Sequence, residues 1–365
     1  MTSFQNFGLA EPITRALVEE NYVTPTPIQV ATIPVALAGR DVVGIAQTGT
    51  GKTAAFALPI LHLLSAAARP PQRKTCHVLV LSPTRELAGQ ILDSFRTYGR
   101  HLRISSALAI GGVPMGRQVR ALLNGVDVLV ATPGRLLDLV RGNALRLGDV
   151  GVLVLDEADR MLDMGFIHDI RTIVAKLPAQ RQTLFFSATM PQAIAQLADQ
   201  MLHAPAKVAV TPVASTVERV EQRIIHLDRA EKPMMLADLL TRETVERALV
   251  FTRTKHGADK VVRGLAKAGI AAEAIHGNKS QSQRERALAA FRDGSVRTLV
   301  ATDIAARGID VDGITHVVNF DLPNVPETYV HRIGRTARAG ADGVAISFCD
   351  AEEAAFLRDI EKLIR

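Results

Sequence analysis

Cysteine, tryptophan and long apolar runs are what this sequence most plainly lacks. Its 365 residues include two cysteines and no tryptophan. Cys76 and Cys349 stand far apart, with no C-x-x-C and no H-E-x-x-H anywhere. That argues against a disulfide framework and against zinc, and both cysteines read as small buried hydrophobes. The longest apolar stretch, 54–61, falls far short of the roughly 18 residues a spanning helix needs, so no membrane protein is expected. The first residues, MTSFQNFGLAEPITRAL, carry neither a basic n-region nor an apolar h-region; no secretory leader is read, and a cytoplasmic protein is expected. Wholesale disorder requires low hydrophobicity with high net charge, whereas 47% of these residues are hydrophobic and 22% charged. The excess of basic over acidic side chains gives a formal charge of +6, which suits an anionic partner without identifying one.

At roughly 150 residues per domain, the length predicts two domains. Apolar runs recur as DVVGIAQTG (41–49), HVLVLSPT (77–84), DVLVATPG (127–134), VLVLDEAD (152–159) and TLFFSATM (183–190). A second set follows as ALVFTRT (248–254), AAEAIHG (271–277), TLVATD (298–303), HVVNFD (316–321) and VAISFCD (344–350). Unbroken apolar runs of this length mark strands buried on both faces of a parallel sheet. Helical patterns such as 191–202, 255–268 and 280–291 fall between them, so the order is β-α-β-α and two α/β units are expected. Pro212, Ser215 and Thr216 place the seam near Thr211, dividing 1–211 from 212–365. In such sheets ligands bind beyond the carboxyl ends of the strands. Lys52, Arg85, Asp156, Glu157, Ser187, Arg253, His276, Asp303 and Asp310 all stand at those ends, too many for turn chemistry alone.

Residues 46–53, AQTGTGKT, join a strand run to the helical AAFALPILHLL, which is the P-loop arrangement. Across Thr48, Gly49, Thr50 and Gly51 the glycines let successive backbone N–H groups turn inward around phosphate oxygens, and the helix start adds a favourable dipole. Lys52 would reach the β and γ phosphates and Thr53 a Mg2+ ion. Asp156-Glu157-Ala158-Asp159 closes another strand run with the carboxylate pair that a Mg2+·nucleotide site requires. Asp156 suits the metal, through water, and Glu157 suits a proton acceptor for the attacking water. Alone, an acidic tripeptide after a strand is equally a helix start. Together with the P-loop it points to nucleotide hydrolysis.

These two segments resemble those of the DEAD-box ATP-dependent RNA helicases, and the motif order of that family runs through 4–340, nearly the whole chain. The resemblance implies an α/β protein of two tandem RecA-like domains, each a parallel sheet flanked by helices, using ATP and Mg2+. Phe4, Tyr22 and TPTPIQ (24–29), with its Thr24 and Gln29, resemble the family's Q motif, in which the Gln29 amide meets adenine and an aromatic ring stacks on the base. Asn21 stands where the family usually has glycine, a candidate for positive φ that asparagine also tolerates. Pro83, Thr84 and Arg85 in PTRELA, Gly111-Gly112, and Thr132 with Arg135 in TPGR resemble the first-domain RNA motifs. Hydroxyls, glycine N–H groups and guanidiniums of this kind grip sugar–phosphate without reading bases. Taken singly they are ordinary turns, and Arg85 has Glu86 or Asp93 to pair with. Ser187 and Thr189 in SAT resemble the motif that couples ATP state to RNA handling by bonding the acidic side chains, Asp159 among them. Read locally, the same tripeptide is a helix cap.

In the second half Arg253 in VFTRT, and Gln281 with Arg284, resemble RNA-side motifs, although Ser280 and Gln283 equally form a capping box. ATDIAARGID (301–310) resembles the segment in which Thr302 and Gly308 touch RNA, Gly308 also lines the nucleotide, Asp303 couples the two sites and Asp310 meets the ribose. In HRIGRTARAG (331–340) a helix would set Arg332, Arg335 and Arg338 on one side, a costly self-repulsion unless an anion lies opposite. A surface salt-bridge cluster is the alternative. The family roles implied are arginine fingers for Arg335 and Arg338 and a relay for His331, while Ala337 replaces the commoner glycine. Aromatic residues make up only 4% of the chain, which suits backbone gripping more than base stacking. The implied activity is RNA-stimulated ATP hydrolysis, gated by domain closure, that unwinds short RNA duplexes or remodels ribonucleoproteins. The implied partners are RNA, bound largely without regard to sequence, and ribonucleoprotein, RNA-decay or ribosome-assembly proteins; a monomer is expected. An ATP-gated RNA clamp and a DNA translocase draw on the same residues. Within the family the wording is similar to bacterial RhlE-type members.

Overall fold

The computed structural model describes residues 3–47, 49–67, 69–210, 220–242, 244–306, 311, 313–337 and 342–364. The chain divides into two compact units, Met1–Thr211 and Pro212–Arg365. The first is built on β1 (Val42–Ile45), β2 (Cys76–Leu81), β3 (Ser106–Ala109), β4 (Val126–Ala131), β5 (Val152–Leu155), β6 (Gln182–Ser187) and β7 (Ala206–Ala209). Their order in the sheet is β3-β4-β2-β5-β6-β1-β7, and every described pairing is parallel. The second unit has β8 (Val220–His226), β9 (Ala248–Phe251), β10 (Ala272–Ile275), β11 (Thr298–Ala301), β12 (His316–Asn319) and β13 (Gly343–Cys349). Here the order is β10-β11-β9-β12-β13-β8, again all parallel.

Most positions of the central strands are apolar because both faces are covered by helices. Along β2, Val78 and Val80 enter one core while Leu79 and Leu81 enter the other. Three strands escape the apolar-run criterion: β3, β7 and β8. Each lies at an edge of its sheet, and β8 is mostly exposed along its length, so one-sided or partial burial leaves no unbroken apolar signature. Since all strands run the same way, the loops after them gather on one edge of each sheet, where a ligand can meet several at once.

Local backbone chemistry follows the sequence closely at two of the flagged positions. Asn21 takes φ +54°, the left-handed conformation expected where a glycine is common. Ser280 and Gln283 close a capping box, Ser280 N–H donating to Gln283 Oε1 at 2.9 Å and Gln283 N–H to Ser280 Oγ at 3.3 Å. One helical expectation fails. The helix Pro326–Ile333 stops at Gly334, so Arg335 lies beyond it and does not share its side with Arg332.

Candidate active site

The loop after β1 turns on Gly49 and Gly51, at φ +80° and +88°, and delivers the helix Lys52–Ala66. Thr48 lies outside the described residues. Thr50 Oγ1 donates to Gln47 O at 2.7 Å, and Lys52, 5% exposed, donates from Nζ to Ala46 O at 2.7 Å. An ammonium resting on one backbone carbonyl is ready to exchange it for a phosphate oxygen, a stronger charge-assisted partner. Thr53, half-buried, is the second residue of the helix.

Gly51 is required twice over, by its φ and because a Cβ there would strike the Gln29 amide. Gln29 is wholly buried. Its Oε1 accepts from Thr26 N–H at 2.8 Å, and its Nε2 donates to Tyr22 Oη at 2.7 Å and Gly51 O at 3.0 Å. Thr26 Oγ1 donates to Thr50 O at 2.8 Å. The Gln29 amide is engaged with the phosphate loop, Tyr22 and its own helix cap. Phe4 is likewise turned inward, 3% exposed and stacked on Tyr22 with centroids 5.2 Å apart. Tyr22 stacks in turn on Tyr98 at 6.2 Å, and burial raises its hydroxyl pKa. Thr24 is exposed.

Asp156 and Glu157 follow β5, one strand removed from β1 across β6. Both are 2% exposed, and Asp156 Oδ1 has no hydrogen-bond partner. Burial pushes the Asp156 carboxyl up to about 7, against the pull of the Lys52 ammonium. A buried carboxylate oxygen without a partner is costly unless a cation takes it, so Asp156, with the Thr53 hydroxyl, fits Mg2+. Among the described residues no group of three His, Cys, Asp or Glu side chains is placed to hold a metal. A Mg2+ ion that keeps waters and shares phosphates needs no such cage.

Glu157 takes φ +56°, ψ +52°, a left-handed conformation that costs a non-glycine residue ~1–2 kcal/mol. Its Oε2 accepts from Arg160 Nη1 at 2.8 Å in a buried ion pair. Arg160 was not singled out by motif reading, although a Glu and an Arg three apart on a helix start was the available signal. Asp159 Oδ2 accepts from Thr189 N–H at 2.9 Å and Thr189 Oγ1 at 2.8 Å, while Asp159 N–H donates to Ser187 Oγ at 3.2 Å. Burial raises the Asp159 pKa, but the Thr189 and Ser187 hydrogen bonds prevail and hold it below the usual carboxylate range. SAT therefore meets the acidic loop at Asp159, with Ser187 on its backbone.

Farther along the same edge, the loops after β2, β4 and β3 converge. Pro83 and Thr84 are buried, and Thr84 Oγ1 caps the helix Arg85–Tyr98 by accepting from Leu87 N–H at 3.3 Å. The Arg85 guanidinium lies on Gly111 and Gly112: a Cβ at Gly111 would stand 3.1 Å from Nη2, and one at Gly112, φ +77°, would overlap Nη1. Arg135 Nη1 donates to Val113 O at 2.9 Å and its Nε lies 3.8 Å from Asp138, which ties it to the residue after Gly112. Thr132 is buried where the helix Pro133–Arg141 begins. Gln118, which no motif flagged, clamps the same loop by bonding both the N–H and the carbonyl of Ile110, at 3.1 and 3.0 Å.

In the second unit Arg332 is 1% exposed. Its Nε and Nη2 donate to the two Asp303 oxygens at 2.6 and 2.8 Å, and its Nη1 to Asp321 O at 2.6 Å and Asn319 Oδ1 at 3.1 Å. The anion opposite this arginine is thus the chain's own Asp303. Asp303, Thr328, His331, Arg332 and Arg335 line one small pocket. Arg338, Gly308 and Asp310 lie outside the described residues. Ala337 takes φ +55°, the conformation suited to the glycine it replaces. Thr302 is half-buried after β11. Gln281 and Arg284 are 7% and 9% exposed on the helix Gln281–Asp293, and Gln281 Nε2 donates to Glu285 at 3.2 Å. Arg253 donates from Nη2 to Glu353 Oε1 at 2.6 Å.

Residues 26–197 match the DEAD/DEAH box helicase family, and residues 231–340 the helicase conserved C-terminal domain. The ATP-dependent RNA helicase CshA of Listeria monocytogenes is 44% identical over 364 residues, 99% of this chain and 69% of that relative. The chain is a DEAD-box RNA helicase. The helicase is equally similar to Bacillus subtilis CshA, a DEAD-box ATP-dependent RNA helicase, at 43% identity over 99% of this chain and 72% of that one. Among solved structures, S. cerevisiae Dbp5 bound to RNA and ADP BeF3 is 31% identical with a TM-score of 0.86, covering 100% of this chain and 94% of that one. A DEAD box protein from Methanococcus jannaschii is 36% identical with a TM-score of 0.57, over 100% and 97% of the two chains. The helicase is therefore an ATP-hydrolysing enzyme of this class on RecA-like sheets. The CshA relatives leave its RhlE-type subfamily unassigned. Among the described residues, no helix is long and apolar enough to cross a membrane.

Proposed function

We propose that this helicase uses RNA-stimulated ATP hydrolysis to separate short RNA duplexes or to remodel ribonucleoproteins in the cytoplasm, acting as a monomer. The observation that carries this reading is the grouping of Lys52, the unpartnered Asp156 Oδ1 and the strained Glu157 at the ends of strands separated only by β6. Lys52 exchanges the Ala46 carbonyl for the β and γ phosphates of ATP. Thr53 and Asp156 would hold Mg2+, which when bound neutralises charge on the phosphates. Glu157 releases Arg160 and accepts the proton of the attacking water. The Asp159–Thr189 bonds carry a shift of the acidic loop to the SAT segment.

Arg335 and Arg338, with His331 as relay, complete the site from the second unit, so turnover requires closure. An arginine finger contributes ~10³ to 10⁵ in rate, which leaves the open chain nearly inactive. By linkage, RNA and ATP then favour each other's binding. Thr84, Arg85, Gly111, Gly112 and Thr132 grip the RNA backbone on the first unit, and Arg253 and Thr302 on the second. The names of the CshA relatives and the RNA-bound Dbp5 structure support RNA as substrate. The test is the ATPase rate with no nucleic acid, with single-stranded RNA and with DNA of the same sequence, followed by displacement of a short RNA duplex. The expected result is stimulation by RNA alone together with strand displacement. Equal stimulation by DNA would make the chain a translocase, and stimulation without displacement an ATP-gated clamp.

A further inference from the structure

The carboxyl edge of the second sheet holds a buried charged cluster that the nucleotide chemistry does not use. Lys232, at the start of the helix Lys232–Arg242, is 1% exposed. Its Nζ lies 2.6 Å from Glu353 Oε2, 3.2 Å from Asp350 Oδ2 and 4.0 Å from Asp321 Oδ1. The other Glu353 oxygen, Oε1, accepts from Arg253 Nη2 at 2.6 Å and from Leu322 N–H at 3.1 Å. Arg253 Nη2 also donates to Leu322 O at 3.2 Å, and the guanidinium stands 5.3 Å from the centre of the Phe356 ring. Glu353 thus joins the start of one helix to the loops after β9 and β12 and the turn after β13.

The cluster exceeds what the local fold requires. Asp350 and Glu353 are spaced as a capping box, yet the box contact from Asp350 N–H to Glu353 is a long 3.5 Å, and the short bonds go to the two cations. Burying a carboxylate and an ammonium together is expensive, and such pairs persist most often where they fix a geometry. What is fixed here is Arg253, the one cation of the cluster that reaches solvent: its side chain is 39% exposed, against 1% for Lys232 and 4% for Glu353. Both of its described side-chain bonds leave from Nη2, and a guanidinium carries five N–H donors. Lys232 and Arg253 together face Glu353, Asp350 and Asp321, and of the two cations Arg253 is the one whose guanidinium keeps contact with solvent. A side chain ordered in advance loses less entropy when it grips a ligand.

We propose that Glu353, with Lys232 and Phe356, is a positioning group that holds Arg253 as a preoriented fork for one phosphate of the RNA strand. The inference rests on the RNA-gripping role given to Arg253 above.

The test titrates the full chain, with a non-hydrolysable ATP analogue, into labelled single-stranded RNA at several salt concentrations, alongside RNA titration of the ATPase. R253A should weaken RNA binding roughly tenfold and flatten the salt dependence by about one counterion. E353Q and F356A should each raise the half-saturating RNA roughly two- to tenfold, the entropy of one long side chain, while the rate at saturating RNA falls less than about twofold. The double variant R253A/E353Q should bind RNA no more weakly than R253A alone. E353Q leaves Lys232 without its closest carboxylate and endangers folding; F356A removes only the ring, and thermal melting of both confirms that the folded chain is being measured. If R253A weakens RNA binding while folded E353Q and F356A do not, or if E353Q adds to R253A, the positioning role is overturned and the RNA role of Arg253 stands. If R253A itself leaves RNA binding unchanged, both fall.

Discussion

The carboxyl edges of the two sheets share a topology and differ in the state of their charges. On the first edge Asp156 Oδ1 has no partner, Lys52 rests on a backbone carbonyl, and Glu157, in left-handed backbone, is held by Arg160. On the second edge three cations already have carboxylates, Arg332 on Asp303 and both Lys232 and Arg253 on Glu353. The first edge is arranged to receive a ligand and the second to hold shape while presenting selected groups. Residue type and spacing identify a charge; its nearest partner decides whether that charge serves chemistry or structure.

The largest expected effect tests the first edge. Glu157→Gln should lower turnover by roughly 10² to 10⁴, as loss of a general base does, while ATP and RNA affinity hold; hydrolysis surviving within a few-fold would reassign the base. On the second edge the corresponding loss is structural. Arg332→Ala strands Asp303 and should destabilise the second unit by about 3 kcal/mol in denaturant unfolding, with Arg332→Lys failing to restore the bidentate pair. Unchanged stability would move Arg332 from anchor to ligand contact. Lys52→Ala should weaken nucleotide binding by roughly ten- to a hundredfold in a direct titration, the worth of a charged hydrogen bond to phosphate, and an unaltered affinity would take Lys52 out of the site. The smallest effect concerns backbone. Ala337→Gly relieves a strain of ~1–2 kcal/mol and adds unfolded-chain entropy of ~0.5–1, so thermal melting should show net stabilisation of about 0.5–1 kcal/mol; a destabilised variant would show that the strain is absent.

The central strands and the phosphate loop were legible because their causes are local. Apolar runs follow from burial on both faces, and a glycine-rich turn between strand and helix has few other uses. Asn21 and the Ser280 capping box were legible for the same reason. Three of the four edge strands, β3, β7 and β8, were not, since an edge strand is only partly covered, whereas the edge strand β10 kept a readable run. Nor were the partners of the charged groups. Asp303 and Arg332 lie 29 positions apart and Arg253 and Glu353 lie 100 apart, so no spacing rule joins them. The Gln29 amide shows the same limit, since the Gly51 carbonyl it bonds is 22 residues away. Sequence named Gln29, Arg253, Asp303 and Arg332 but not Glu353; the fold determined what they touch.

The central claim is that the first edge is an incomplete catalyst and that guanidiniums of the second unit finish it. The most direct measurement is single-turnover ATP hydrolysis by the 365-residue Arg338→Ala chain with saturating single-stranded RNA, alongside its nucleotide affinity. The account predicts a rate lower by about 10³ or more with ATP binding retained. A rate close to that of the unaltered chain would contradict it.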